Sequence, residues 1–112
     1  MPFFKLSEMP EPVVAPGYST AYGPTITGRE LEIGYYTEPA GTGARPHHHP
    51  SEQIIMVLTG RLRMRIDNDI REMGPGEVAL ILSNQEHEQQ ALDEGTRFVS
   101  FKTAAGAQPG DA

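Results

Sequence analysis

Glycine and proline interrupt this chain at short intervals, which leaves little room for long helices. The 112 residues include 12 Gly and 10 Pro, and both residue types are common in tight turns and unfavourable inside helices. Between these turns, apolar and polar residues alternate with the period of two that is typical of β-strands. In Arg61–Asp67, Leu62, Met64 and Ile66 share one face, and arginines occupy the other. The pattern predicts an all-β fold.

Eight or more segments have this extended, turn-bounded character. Two of them, Phe3–Leu6 and Ser19–Ile26, lie in the Pro-rich beginning of the chain. The others are 31–36, 53–58, 61–67, 70–73, 77–82, 87–92 and 96–103. The segment Glu38–Pro46 contains two Pro and two Gly and is expected to be a loop. Many short strands separated by turns predict a sandwich or a barrel.

The chain is expected to form one domain, since a typical domain has roughly 100 to 150 residues. Residues 1–28 are predicted to be an arm with short strands that is either loosely packed or held against another subunit at a dimer interface. Residues 29–103 form the predicted barrel, and residues 104–112 form a small, polar and flexible tail.

The run Ile54-Ile55-Met56-Val57-Leu58 is apolar on both faces of its predicted strand. A half-exposed strand would alternate between apolar and polar residues. The second face therefore packs either against a second sheet or against another subunit, because an open apolar sheet promotes aggregation.

Charge and cysteine content argue against several classes of function. The net charge is −6, and the nine Lys and Arg form no dense cluster, so the electrostatic footprint of nucleic-acid binding is missing. The sequence has no cysteine, which excludes disulfides and thiolate chemistry and is compatible with the cytoplasm. No stretch approaches the ~20 apolar residues of a membrane span, and the N-terminus has no signal-peptide pattern. We expect a cytoplasmic protein without nucleic-acid or membrane partners.

The histidines are the strongest candidates for a functional site. His47, His48 and His49 are consecutive, and His87 begins a later predicted strand. Because side chains alternate on an extended backbone, His47 and His49 share one face while His48 points to the other. Gln53 returns to the face of His49 four residues later. Two imidazoles and an amide oxygen on a rigid scaffold suit a divalent transition metal, and a barrel can bring His87 to the same point.

The same residues leave alternatives open. The histidine triplet lies between two prolines and is also compatible with a solvated loop. Glu52 precedes Gln53, and although strand parity favours Gln53 as a ligand, a β-bulge would reverse that choice. The basic stripe of Arg61, Arg63 and Arg65 is interpreted as a solvated strand face, with anion binding as the alternative.

Two ordered motifs resemble those of the cupin family. The first motif consists of Gly41, five residues, His47-His48-His49, then Glu52-Gln53 and, after six more residues, Gly60. The second motif consists of Pro75-Gly76-Glu77, a strand and His87. The resemblance departs from the family pattern at the fourth ligand, where cupins usually have Glu. It also departs after His87, where the Asn that often follows is replaced by Gln89, Gln90 and Ala91.

The resemblance implies a double-stranded β-helix, a jelly-roll cupin barrel of two facing sheets whose cup holds one divalent metal ion. Carried over to this sequence, the implied ligands are His47, His49, Gln53 and His87. Ni, Mn, Fe, Zn, Co and Cu all suit such ligands. Small single-domain cupins are commonly homodimers, so a homodimer that covers the second face of the run at 54–58 is expected.

The implied function is that of a metal-dependent small-molecule enzyme, an isomerase, lyase or dioxygenase whose oxygen-rich substrate binds in the barrel. The first motif is similar to that of small pectin-degradation-type cupins, which act on unsaturated uronate sugars. Tyr35, Met56 and Gln89 are candidates for lining the cup, although core packing or surface exposure also explains them. No general base is evident, because Glu86 and Glu88 are expected to point away from the cup. The alternatives are a non-catalytic metal- or small-ligand-binding module and a structural barrel with an empty cup.

Overall fold

The computed structural model describes residues 2–104. Within this range the chain forms a short 3₁₀-helix at Leu6–Glu8 and nine β-strands. The strands are β1 (Thr25–Thr27), β2 (Leu31–Glu38), β3 (Gly43–His47), β4 (Gln53–Thr59), β5 (Leu62–Ile66), β6 (Asp69–Met73), β7 (Val78–Ile81), β8 (His87–Ala91) and β9 (Thr96–Thr103). The predicted all-β fold class is confirmed. Across these residues, no helix has the length and apolar character needed to cross a lipid bilayer.

The strands form two antiparallel sheets. The five-stranded sheet has the order β1-β2-β9-β4-β7, and the four-stranded sheet has the order β3-β8-β5-β6. Most neighbours in space are distant in the sequence, as with β2 and β9, which pair over eight residues. This interleaving of the chain between two sheets is the topology of a jelly roll.

The apolar core lies between the inner faces of the two sheets. It contains Ile55 and Val57 of β4, Ile81 of β7, and Leu62 and Met64 of β5. None of these side chains is more than 2% exposed, and burying each one stabilises the fold by about 2 kcal/mol. The alternation predicted for β5 is therefore confirmed, with its arginines on the outside.

The predicted loop at 38–46 is partly strand, which corrects the sequence interpretation. β2 extends to Glu38, and β3 begins at Gly43. A Cβ atom at Gly43 would lie 1.9 Å from the carbonyl oxygen of Gln89, so a glycine is needed for β3 to approach β8 this closely. The glycine that indicated a loop thus allows a tight contact between the two strands that carry the histidines.

The N-terminal arm folds back over its own barrel. The segment Phe3–Leu6 contains no strand, contrary to prediction. The extended piece predicted at Ser19–Ile26 is reduced to the start of β1 and to isolated bridges of Tyr22 with Val13 and Thr37. Residues 2–24 of the arm therefore contact the barrel through isolated bridges, and β1 at the end of the arm is an edge strand of the five-stranded sheet.

The predicted tail at 104–112 lies outside the described residues except for Ala104. Ala104 is buried, and its N–H donates to the carbonyl oxygen of Glu30 at 3.0 Å. This bond fixes the end of β9 beside the start of β2.

The outer face of the five-stranded sheet is apolar along two rows of cross-strand partners, which we call the outer apolar rows. The first row is Ile26, Ile33, Phe101, Ile54 and Leu80, and the second is Tyr35, Val99, Met56 and Val78. Phe101, Leu80 and Val78 are 41%, 52% and 57% exposed. The second apolar face expected for the run at 54–58 is therefore present, and the four-stranded sheet packs on the opposite side.

Candidate metal centre

Three histidines converge where β3 meets β8. His47 ends β3 and pairs in register with His87, the first residue of β8, while His49 lies in the loop after β3. The ring centroids are 4.2 Å apart for His47 and His87, 5.0 Å for His49 and His87, and 5.7 Å for His47 and His49. One ligand nitrogen from each ring lies within 4.8 Å of the others. Metal–nitrogen bonds of roughly 2.1 Å could join these nitrogens to one ion after small side-chain adjustments.

Each of the three rings is fixed by a hydrogen bond from its Nδ1 atom. His47, His49 and His87 donate to the carbonyl oxygens of Arg45, Ser51 and Gln85, at 2.7, 2.9 and 2.8 Å respectively. These bonds select the tautomer in which Nε2 keeps its lone pair. Carbonyl partners of this kind orient metal-binding imidazoles and increase their basicity.

Burial keeps the imidazoles of His47 and His87 neutral. Burial, with a smaller contribution from charge repulsion by the neighbouring histidines, lowers the pKa of His87 to about 4. Burial is also the main cause of the lowered pKa of His47. At neutral pH both rings can therefore bind a metal ion without first losing a proton.

Gln53, the first residue of β4, lines the same cavity as the histidines. Its Nε2 donates to Ser100 Oγ at 2.8 Å, which leaves its Oε1 available as an oxygen ligand. Glu52 lies just before the strand, and its side chain is exposed. The alternation along β4 thus places Gln53 with the histidines and Glu52 outside.

The histidines and Gln53 line a cavity of about 360 Å³. The inner face of the five-stranded sheet is polar at one end of its strands and apolar toward the other. The polar row of cross-strand partners is Glu32, Lys102 and Gln53, and the apolar row is Tyr36, Phe98 and Val57. A concave site with an apolar part and a few convergent polar groups is typical of small-molecule binding.

Two of the three residues considered for the cup lining lie elsewhere. Gln89 lines the cavity, but Tyr35 and Met56 belong to the outer apolar rows. Their neighbours Tyr36 and Ile55 point inward in their place. Hydrophobicity could not distinguish the faces, because β2 and β4 carry large apolar residues on both.

The acidic residues that flank the β8 histidine point away from the cavity, as expected. Glu86 and Glu88 form ion pairs with Arg65 at 3.0 and 3.1 Å. Arg61 forms an ion pair with Asp93 at 3.0 Å. The basic stripe of β5 therefore lies on the exterior, and neighbouring carboxylates neutralise much of its charge.

Tyr18 of the N-terminal arm is a cavity residue that strand patterning could not reveal. Its ring centroid lies 4.7 Å from that of His47, and its carbonyl oxygen accepts a hydrogen bond from the Arg45 N–H at 3.0 Å. Val13 and Val14 line the same cavity. The arm therefore forms one wall of the site, although its sequence has no periodicity that indicates this role.

Glu38 is a buried carboxyl group beside the cavity that the sequence analysis missed. Its side chain is 0% exposed and accepts hydrogen bonds from Gln89 Nε2 at 2.6 Å and Thr20 Oγ1 at 3.1 Å. Burial raises the pKa of Glu38, although these two hydrogen bonds oppose the shift. Gly34 and Tyr36 lie on the inner face of β2, and Glu38 lies on the same face two residues later. The strand predicted at 31–36 ended before Glu38, so a longer predicted strand would have identified this residue.

Fold and site together define a small jelly-roll barrel with a three-histidine candidate metal centre inside it. The chain belongs to the Cupin domain family, whose sequence profile matches residues 34–100. The family resemblance of the two sequence motifs is therefore confirmed, as is the predicted jelly-roll barrel.

Solved structures share this fold. KdgF from Halomonas sp. has a TM-score of 0.79 and 20% identity, over 91% of this chain and 94% of its own. An RmlC-like cupin from Shewanella frigidimarina NCIMB 400 has a TM-score of 0.77 and 16% identity, over 94% of this chain and 92% of its own. Bacillus subtilis oxalate decarboxylase, which has Mn(II) centres, has a TM-score of 0.75 and 20% identity, over 90% of this chain and 29% of its own. At these identities the likeness establishes the fold alone. No curated protein matches the sequence significantly.

Proposed function

We propose that this cupin is a metal-dependent enzyme that acts on an oxygen-rich small molecule bound in its barrel. The main support is the set of three imidazoles, within 4.8 Å of one another, whose Nδ1 atoms all bond to carbonyl oxygens. His49 and His87 are buried, and His47 is half-buried. Gathering three nitrogen lone pairs in one partly desolvated place is unfavourable unless they share a partner.

The proposed ligands are His47, His49, His87 and Gln53, around one divalent ion of Ni, Mn, Fe, Zn, Co or Cu. All four ligands are neutral, so the ion keeps its full positive charge apart from what the substrate supplies. Such an ion polarises a carbonyl or carboxylate oxygen and lowers the pKa of bound water. Gln89 and Tyr18, which line the cavity beside the histidines, are placed to contact and orient the substrate.

The proposed substrates are sugar acids such as uronates, hydroxy-carbonyl compounds, or the substrates of cupin dioxygenases. One of the structural neighbours supports this class, an oxalate decarboxylase, which is named for a small dicarboxylic acid. The first motif also resembles that of pectin-degradation-type cupins, which act on unsaturated uronates. These compounds carry adjacent oxygen atoms that could bind one metal ion together.

A non-catalytic binding module is the second candidate, and the small number of carboxylates in the cavity favours it. Among the described residues that line the cavity, Glu32 is the one carboxylate, and Thr27 Oγ1 donates to it at 3.2 Å. The carboxyl group of Glu38 is fully buried and accepts a hydrogen bond from Gln89 Nε2. A binding module retains its metal and ligand without needing a general base.

Metal content and turnover together test the proposal. Wild type, His49→Ala and His48→Ala are loaded with each of the six metals and assayed on uronates, diketones and catechols. His48 is exposed, so His48→Ala is a matched control. We expect about one equivalent of metal and measurable turnover in wild type and His48→Ala, and loss of both in the folded His49→Ala protein. Tight metal binding without turnover would support the binding module, and less than about a tenth of an equivalent would support a structural barrel.

We also propose that a second copy of the chain covers the outer apolar rows. The rows contain no charged residue, so a two-fold packing of the rows on one another brings no like charges together. Two-fold dimers are the commonest closed homo-oligomers, and an uncovered apolar sheet face of this extent promotes aggregation. The cytoplasmic location expected from the cysteine-free sequence stays a prediction.

A further inference from the structure

Lys102 brings a positive charge into the cavity. Its side chain lies on the inner face of β9 and lines the cavity together with the three histidines. Its cross-strand partners are Glu32 on β2 and Gln53 on β4. Side chains directly opposite each other in an antiparallel pair have Cβ atoms about 5 Å apart. The Lys102 side chain therefore begins beside the proposed amide ligand.

None of the ion pairs found among residues 2–104 includes this ammonium group. They are formed on the exterior by Arg61, Arg65 and Arg71. The neighbouring Glu32 is tied toward β1 by the hydrogen bond from Thr27 Oγ1 at 3.2 Å. Lys102 and the three histidines line the same cavity, so the ammonium group can reach a molecule bound beside the histidines.

We propose that Lys102 is a specificity-determining residue that binds a carboxylate group of the substrate, so that the cavity selects sugar acids and related small carboxylates over neutral sugars. The inference rests on the proposed function, because the metal makes the second contact to the substrate. With four neutral ligands, the ion and the ammonium group are the main positive charges in the cavity. A molecule with a carboxylate at one end and hydroxyl or carbonyl oxygens at the other contacts both.

The chemistry of lysine suits this role. Its ammonium group offers three donors on a flexible stem, so it can follow carboxylates of somewhat different position. Hydrogen bonds between ionised partners are about twice as strong as those between neutral partners. In a partly enclosed cavity the attraction is stronger still, because less water screens the two charges.

A structural ion pair between Lys102 and Glu32 is the competing explanation, and Glu32→Gln distinguishes the two. If Lys102 binds the substrate carboxylate, Glu32 competes for the same ammonium group, and its neutralisation strengthens carboxylate binding. If Lys102 only neutralises Glu32 across β2 and β9, the substitution lowers stability and leaves carboxylate binding unchanged.

D-glucuronate and D-glucuronamide are matched probes, because a carboxylate in one is replaced by a neutral amide in the other. Their binding to the Ni²⁺-loaded protein is measured by isothermal titration calorimetry for wild type, Lys102→Met, Lys102→Arg and Glu32→Gln. Lys5→Met is the control, since it removes the same charge at an exposed position of the arm. We expect wild type and Lys5→Met to bind glucuronate about tenfold more tightly than glucuronamide. Lys102→Met should lose this preference, Lys102→Arg should retain it, and Glu32→Gln should increase it.

Three results would overturn the inference: equal binding of the two probes by wild type, no detectable binding of either probe by loaded protein, or a preference that survives in Lys102→Met. The last result would mean that the metal alone recognises the carboxylate. Ni²⁺ stoichiometry separates the two proposals, because a protein that takes up no metal contradicts the proposed function itself. Thermal unfolding checks that Lys102→Met is folded, and if it is not, Lys102→Gln and Glu32→Gln decide the outcome.

Discussion

The two faces of the five-stranded sheet are built from the same strands but differ in chemistry. On β9, Phe98, Ser100 and Lys102 face the cavity, whereas Val99 and Phe101 face outward. The inner face thus becomes polar toward the histidines, while two apolar rows cross the outer face and Arg97 lies exposed beside them. Antiparallel sheets that expose one face to water usually show the reverse, with polar residues outside.

The proposed metal ion and the proposed second copy of the chain would each cover one of these two faces. The inner face presents Gln53 and Lys102 to a cavity whose histidines come from β3, β8 and the loop after β3. The outer face gathers apolar side chains that suit a second protein surface. Because the two sets alternate along the same strands, substitutions one residue apart should break one property and leave the other intact.

Phe101→Asp is expected to have the largest effect, and it acts on the outer face. Phe101 lies between Ile33 and Ile54 in the first outer apolar row, so the new carboxylate would be buried without a partner in the proposed dimer. We expect the dimer dissociation constant to rise about a thousandfold, measured by analytical ultracentrifugation, with metal stoichiometry unchanged. Asn68→Asp adds the same charge in an exposed turn and should remain dimeric. A wild-type protein that is monomeric at high concentration would refute the proposed dimer.

Gly43→Ala should disturb the inner site by forcing β3 away from β8. The added Cβ atom would lie 1.9 Å from the carbonyl oxygen of Gln89, and the backbone must shift to relieve the clash. We expect a loss of about 3 kcal/mol in unfolding free energy, measured by urea denaturation, together with weaker metal binding. Gly74→Ala is the control, because its Cβ atom would meet Glu77 at an ordinary 3.5 Å. Equal stability of the two variants would contradict the close strand contact.

Gln53→Ala and Glu52→Ala compare neighbouring residues on opposite sides of β4. Because Gln53 faces the cavity and Glu52 is exposed, only the first substitution removes a proposed ligand. We expect metal affinity to fall about tenfold or more in Gln53→Ala and to stay within about twofold in Glu52→Ala. Competition titration with a chelator measures both. The reverse result would assign the fourth ligand to Glu52.

Glu38→Gln should have the smallest effect, a change in how stability depends on pH. Burial raises the pKa of Glu38 in the folded chain above the ordinary value of 4.5. As the pH rises through that value, the unfolded chain releases its proton first, so wild type loses stability until the folded-state pKa is passed. The variant lacks this loss, and its stability relative to wild type should therefore increase between pH 4 and pH 8 in urea denaturation. Glu30→Gln, at an exposed position, should show no such trend, and a pH-independent difference for Glu38→Gln would contradict the argument.

The local pattern of alternating apolar and polar residues between turns predicted much of the fold. β9 spans Thr96–Thr103 as predicted, and β5 alternates as its sequence indicates, because clear turns bound both strands. The convergence of the histidines could also be anticipated, since the order and spacing of two motifs resembled a family with a known barrel. Strand parity gave the inward side of Gln53 correctly, and the register irregularity of β4 lies between Val57 and Thr59, beyond this residue.

The remaining features depend on contacts between distant parts of the chain. Tyr35 was considered for the cup and Tyr36 was not, because the hydrophobic pattern of β2 cannot distinguish an inner face from an apolar outer one. Tyr18 reaches the site only because the arm folds back over the barrel. Lys102 stands out only once β9 is known to lie between β2 and β4.

A calorimetric titration of wild type, His48→Ala and His87→Ala with Ni²⁺ tests whether the three converging histidines hold a metal ion. We expect wild type and His48→Ala to bind one equivalent with the same affinity, because His48 is exposed and outside the cluster. We expect folded His87→Ala to bind at least about a hundredfold more weakly, because it lacks one of the three converging imidazoles. Equal affinity in all three proteins, or no binding by wild type, would contradict the proposal that these histidines hold a metal ion.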